Sequence, residues 1–119
     1  MSLKDFIKKS LGQSSSDGRM RQKYSKLLNH ILEGHRGCKI LKETSNYISA
    51  GVSNYGGSTL FKIHDDPNRN IVNIEYEVSK NPVVPNFLLN FSFPDSKDQD
   101  EMMIEIAKGI QNKMMCLMK

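Results

Sequence analysis

The densest local grouping of ionisable residues in the chain is His64-Asp65-Asp66. Those residue types could ligate a metal or exchange protons, but three successive residues at a strand end point in alternating directions. A metal site would also need further ligands from elsewhere in the chain. The expectation is a solvated turn. Glu75 and Glu77 share a strand face by their spacing of two, which suits a wet surface better than an acid-base pair in an apolar pocket. His30 and His35 are not at an i, i+4 spacing, and Asp95-Ser96-Lys97-Asp98 lacks the glycine and ligand order of a calcium loop. The phosphate-cradling, dinucleotide-binding, zinc-protease and nucleophile-elbow motifs do not occur. No cofactor, metal ligand or catalytic residue is assigned, and the expectation leans away from an enzyme.

Cysteine chemistry is equally sparse. Cys38 and Cys116 are far apart and form no C-x-x-C, which fits two thiols in a reducing, cytoplasmic setting better than a disulfide framework.

Charge is the more informative property. The net charge is +4, but residues 1–44 carry ten Lys/Arg against four Asp/Glu, whereas residues 45–119 carry seven against nine. Such polarity bears on partners rather than on fold. Arg19, Arg21, Lys23, Lys26, Arg36, Lys39 and Lys42 would make one phosphate-contacting surface if the first long helix and first strand lie side by side, so nucleic acid is the alternative partner. The preferred expectation is a noncatalytic protein-interaction or adaptor module, with a homodimer as one form of it. A small-ligand protein or an enzyme with a dispersed site comes third. Arg19, Lys23, Lys26 and His30 on the first long helix, with Met102 and Met115 on the last, are the candidate partner-binding residues.

The elements that must position these groups follow from periodicity. Residues 1–18 read as an amphipathic basic arm, with Leu3, Phe6, Ile7 and Leu11 at helical spacing, followed by the Ser-rich link of 12–18. A peripheral membrane contact through residues 3–11 is not expected, nor is a cleaved leader, and no apolar run reaches the length of a membrane span. Residues 19–119 read as one α+β domain. Met20, Tyr24, Leu27, Leu28, Ile31 and Leu32 form one helical stripe, Ser16 or Asp17 could cap it, and Gly34 stands where a left-handed stop is expected.

Residues 38–53 read as one bulged strand or as two strands turning near Thr44–Asn46. Asn54-Tyr55-Gly56-Gly57 and Asp66-Pro67-Asn68-Arg69-Asn70 read as hairpin turns. Strict alternation then puts Val72, Ile74, Tyr76 and Val78, and afterwards Phe87, Leu89, Phe91 and Phe93, on a core face. The last helix follows Pro94, with Ser96 and Gln99 as a capping box and an apolar stripe of Met103, Ile106, Ala107, Ile110, Met114, Leu117 and Met118, leaving Met102 and Met115 off it. The expected architecture is an antiparallel four- or five-stranded meander with N- and C-terminal helices packed on one face, in two layers.

Overall fold

A computed structural model of the chain describes residues 18–54 and 57–117. The expectations for the arm, for capping by Ser16 or Asp17, for the turn residues Tyr55 and Gly56, and for Met118 lie outside the described residues. The architecture is α+β, in two layers. Helices α1 (Arg19–Lys23) and α2 (Ser25–Gly34) precede strands β1 (Lys39–Glu43), β2 (Tyr47–Asn54), β3 (Gly57–Asp66), β4 (Ile71–Ser79) and β5 (Phe87–Pro94), and helix α3 (Gln99–Leu117) ends the described chain.

The sheet is a pure meander in the order β1-β2-β3-β4-β5, antiparallel throughout. Of the two alternatives for residues 38–53 the structure has two strands, turning at Thr44–Asn46, and β1 carries a register shift between Ile40 and Lys42. Asn70, with φ 56°, closes the β3–β4 hairpin in the left-handed geometry that asparagine tolerates.

Register stacks the core in rows across the sheet. Ile48, Ile63, Ile74 and Phe91 form one row, and Ala50, Phe61, Tyr76 and Leu89 the next. Met20, Tyr24, Leu27, Leu28 and Ile31 of the helices cover these rows together with Met102 and Ile106 of α3. The expected core faces of β4 and β5 hold, except that Leu89 and Phe91 in the middle of β5 are only partly buried. Gly109 lets α3 lie against β5, since a methyl group there would come within 2.8 Å of the Phe91 ring.

Three details of the helices depart from expectation. The first long helix is broken at Tyr24, whose φ of −113° and ψ of 32° leave the helical region. The helix stops at Gly34, as the pattern suggests, but His35 follows in extended geometry and the left-handed residue is Gly37, at φ 81°, three positions beyond the helix end. Ser96 and Gln99 form no capping box, because α3 begins at Gln99 and the side chain of Gln99 is engaged elsewhere.

That engagement explains the broken helix. In an unbroken helix the Leu27 N–H would donate to the Lys23 carbonyl. Here the Gln99 amide is inserted between them: Leu27 N–H donates to Gln99 Oε1 at 3.0 Å, and Gln99 Nε2 donates to the Lys23 carbonyl at 2.6 Å. Insertion of a side chain into the helical ladder is a recognised cause of a kink, and both backbone groups remain satisfied.

Candidate functional site

Two groupings of polar side chains stand out, one beneath the helices and one on the open face of the sheet. The first centres on Asp65. Phe61, Ile63 and Asp65 alternate onto the same face of β3, so Asp65 points into the helix layer, and its side chain is fully buried. The Tyr24 hydroxyl donates to it at 2.5 Å, Lys23 Nζ reaches its two oxygens at 3.1 and 3.3 Å, and the Arg19 guanidinium pairs with it. Lys23 also bridges to Asp95 at 3.0 Å, and Arg19 donates to the Ser45 carbonyl at 2.8 Å.

The electrostatics follow from those contacts. Burial by itself would raise the Asp65 pKa, but the bonds from Tyr24, Arg19 and Lys23 outweigh it and hold the carboxyl below its ordinary range. Burial is also the leading influence on Tyr24, where it and the neighbouring Asp65 carboxylate both push the phenol well above its usual value. For Lys23, burial lowers the pKa, yet the bonds to Asp95 and Asp65 prevail and raise it. Every group is thereby held in its pH 7 charge state, which suits a fastening between helix and sheet rather than proton transfer.

The expectation of a solvated turn at His64-Asp65-Asp66 is therefore corrected at Asp65. The signal that could have found it was the alternation itself. Continued past Ile63, it places Asp65 on the core face, where the hydroxyl of a buried Tyr24 needs an acceptor.

The candidate partner-binding residues divide on the same ground. Met102 is fully buried, which removes it from any surface role. The apolar residues of α3 span a wide arc that includes Met102, Met103, Ile104 and Ile106, and the helix docks with the Met102–Ile106 side inward and Ile104 outward. Met115 is exposed on the outer side of α3, at 57%. Arg19 and Lys23 are engaged by the Asp65 cluster. His30 meets Asp100 of α3 at 2.8 Å, an exposed pair, and this bond is the main reason that the Asp100 carboxyl lies below its ordinary pKa. Lys26 is exposed on α2.

The seven residues considered for nucleic acid are not brought onto one surface. Arg21 Nε donates to Glu43 at 2.7 Å, so Arg19, Arg21 and Lys23 all face carboxylates. Register places Lys39 opposite Gly51 and Lys42 opposite Ser49, on the face of the sheet away from the helices. Arg36 is exposed in the α2–β1 connection.

The open face is the second grouping. His64, Asn73, Asn90 and Ser92 are exposed on it, with Lys62, Glu75 and Glu77 partly exposed, as alternation anticipates. Sequence reasoning missed its apolar part. Gly51 of β2 has Leu41 on one side and Leu60 on the other, and a methyl group in its place would lie 3.1 and 3.2 Å from their Cδ1 atoms and 2.8 Å from the Thr59 carbonyl oxygen. Leu60 pairs with Glu77, and Glu77 with Leu88. Gly51, Leu60, Glu77 and Leu88 thus form one row across β2 to β5, and Leu41, at the β1 register shift, reaches over Gly51 to extend it, although the residue paired with Gly51 is Lys39. Leu41 and Leu88 remain 54% and 48% exposed.

Beside this row lies a hollow of about 440 Å³, lined by Lys42, Thr44, Tyr47, Lys62, His64 and Glu75 and open to solvent. The Tyr47 ring lies 4.6 Å from the His64 ring, and Lys42 Nζ stands 5.8 Å from the Tyr47 ring centre. His64 and Glu75 are 3.6 Å apart, and Lys62 and Glu77 3.8 Å. Such exposed pairs contribute about 0–1 kcal/mol each to stability. Their spacing leaves room for a partner's groups to compete for them.

Among the described residues, no group of three or more His, Cys, Asp and Glu side chains could hold a metal ion, and no helix is long and apolar enough to cross a membrane. In comparisons with known proteins, no family model matches the chain, no curated protein matches its sequence and no solved structure matches its fold.

Proposed function

We propose that the chain is a noncatalytic module that binds protein, a second copy of itself included, through the open face of its sheet. The observation that carries this reading is the row Leu41-Gly51-Leu60-Glu77-Leu88. The apolar side chains of Leu41, Leu60 and Leu88 line up there on the face that, among the described residues, no helix covers, and they are flanked by charges of both signs. An apolar strip within a polar surround is the composition of a protein-binding surface. The adjoining hollow, with Tyr47 at its wall, could accept a side chain of the partner.

Protein is favoured over nucleic acid by the distribution of charge. Arg19, Arg21 and Lys23 already face Asp65, Asp95 and Glu43, and on the open face Glu75 and Glu77 interrupt Lys39, Lys42 and Lys62, so neither surface presents cations alone. A phosphate backbone would need the opposite arrangement.

The test is affinity capture from the native cell with three chains compared against wild type: Leu60→Lys, Leu88→Lys, and Lys108→Glu on the outer side of α3 as a control. Partners retained by wild type and by the control but lost by both leucine variants are the expected result. The same proteins captured by all four chains would overturn the open face as the binding surface.

A further inference from the structure

The two edges of the sheet are built differently, and the difference points to what pairs with one of them. Strand β1 has Lys39 and Lys42 and a register shift between Ile40 and Lys42, the devices that keep an exposed strand from recruiting another. Strand β5 has none of these. Its sequence, Phe87-Leu88-Leu89-Asn90-Phe91-Ser92-Phe93-Pro94, carries no charge, and its register with β4 runs unbroken from Val78↔Phe87 to Ile71↔Pro94. It is the last strand of the sheet, and among the described residues no backbone hydrogen bond joins residues 87–93 to anything beyond β4.

We infer that the outer edge of β5 pairs antiparallel with β5 of a second copy, about a two-fold axis at Asn90, so that two five-stranded sheets become one. The inference rests on the protein-binding reading above and narrows it to one occupant and one edge.

The strand's own sequence selects the occupant. Rotation about Asn90 sets Phe87 opposite Phe93 and Leu89 opposite Phe91 on the core face, and Leu88 opposite Ser92 on the open face. Apolar residues then meet apolar ones wherever the helices cover the sheet. The Asn90 side chains of the two copies meet at the axis, where each amide has both a donor and an acceptor to exchange. No like charges are brought together, as they would be at β1. Centring on Asn90 also gives the longest ladder that stops short of Pro94, which has no N–H to donate.

Burial agrees with this axis. Phe87 and Phe93, at the strand ends, are already buried within the single chain. Leu89 and Phe91, which flank Asn90, are only partly buried, and a second strand would cover them. Main-chain hydrogen bonds supply the attraction, as in other strand additions, and the two-fold makes the contact self-complementary.

The full chain is tested first by light scattering on a gel-filtration column at micromolar concentration. Twice the 13.5 kDa chain mass is expected, and a monomer overturns the pairing. Asn90→Lys places two ammonium groups at the axis and should yield a folded monomer whose melting temperature no longer depends on protein concentration, since Asn90 is exposed and the dimer's added stability is lost. A dimer that survives it overturns the axis.

Position is tested by oxidation in a Cys38→Ser/Cys116→Ser background. Asn90→Cys should cross-link nearly completely, because facing residues of an antiparallel pair lie about 4.5–5.5 Å apart, within disulfide reach. Asn73→Cys, on the neighbouring strand β4, should cross-link at least tenfold less, and equal cross-linking at both positions overturns the inference. The two readings fail separately. A monomeric wild type removes the β5 pairing and leaves Leu60-dependent capture intact, whereas a dimer whose capture ignores Leu60 and Leu88 removes the open face instead.

Discussion

The side-chain amide of Gln99 stands between the Lys23 carbonyl and the Leu27 N–H, in the place of the hydrogen bond that an unbroken helix would make. Gln99→Ala removes both partners at once. Each orphaned group costs about 1–3 kcal/mol if it stays buried, less whatever α1 and α2 recover by straightening. We expect a net loss of about 1–3 kcal/mol in urea unfolding. Gln99→Glu keeps the acceptor for Leu27 but sets a carboxylate against the Lys23 carbonyl, and should be no better than alanine. Amide exchange at Leu27 is the local readout, and it should speed up in both variants.

Asp65 is the acceptor for three donors in the helix layer, and its removal leaves them all without it. Breaking a buried ion pair by deleting one partner costs about 3–5 kcal/mol, so Asp65→Ala should fall in that range. Tyr24→Phe removes one hydroxyl bond and should cost about 1–2 kcal/mol, with a charged acceptor setting the upper end. A double-mutant cycle between the two should show strong non-additivity.

The same cluster fixes how stability responds to pH. The Asp65 pKa lies below its unfolded value, so its contribution is fully present above about pH 4 and is lost as pH falls through the folded value. Lys23 and Tyr24 have raised values, so theirs is present below about pH 10 and is lost as pH rises beyond that. Thermal melts from about pH 2 to about pH 11 should show losses at both ends. Tyr24→Phe should flatten the alkaline limb.

Glu43 is buried and accepts from Arg21 through Oε1, and among the described residues its Oε2 has no hydrogen-bond partner. Arg21→Ala leaves that carboxylate without its cation and should cost about 1–3 kcal/mol. Arg69→Ala, which breaks an exposed pair with Asp66, should change stability by less than about 0.5 kcal/mol. Chemical denaturation of the two variants side by side is the check.

Exposed leucines on the open face should be dispensable for folding. Leu88→Lys should shift stability by no more than about 0.5 kcal/mol. Phe61→Ala, on the opposite face of the sheet in strand β3, should cost about 3–5 kcal/mol. Comparable losses in both would mean that Leu88 serves the fold rather than a partner.

The sheet was legible because its information is periodic. Val72, Ile74, Tyr76 and Val78 alternate without exception, and one buried face follows from that alone. The rotation of α3 was not legible, since apolar residues at 102, 103, 104, 106 and 107 leave several faces nearly equivalent, and the shape of Phe91 against Gly109 helps choose among them. Asp65 could have been placed by extending the alternation of Phe61 and Ile63 to the strand's end, but its charge argued for water until Tyr24, Lys23 and Arg19 were set around it. The row from Leu41 to Leu88 depends on the register of three strand pairs and on the shift in β1 that brings Leu41 over Gly51. No local window contains that information.

The meander has a consequence for the order in which the molecule assembles. Every strand pair joins neighbours in sequence, so each hairpin closes only a short loop. The contacts that tie the ends together are different: Lys23 to Asp95 and Leu27 to Gln99 each span 72 residues. Until Gln99 is in place the Lys23 carbonyl and the Leu27 N–H are free to bond each other in an unbroken helix, so the kink between α1 and α2 is set only when α3 docks.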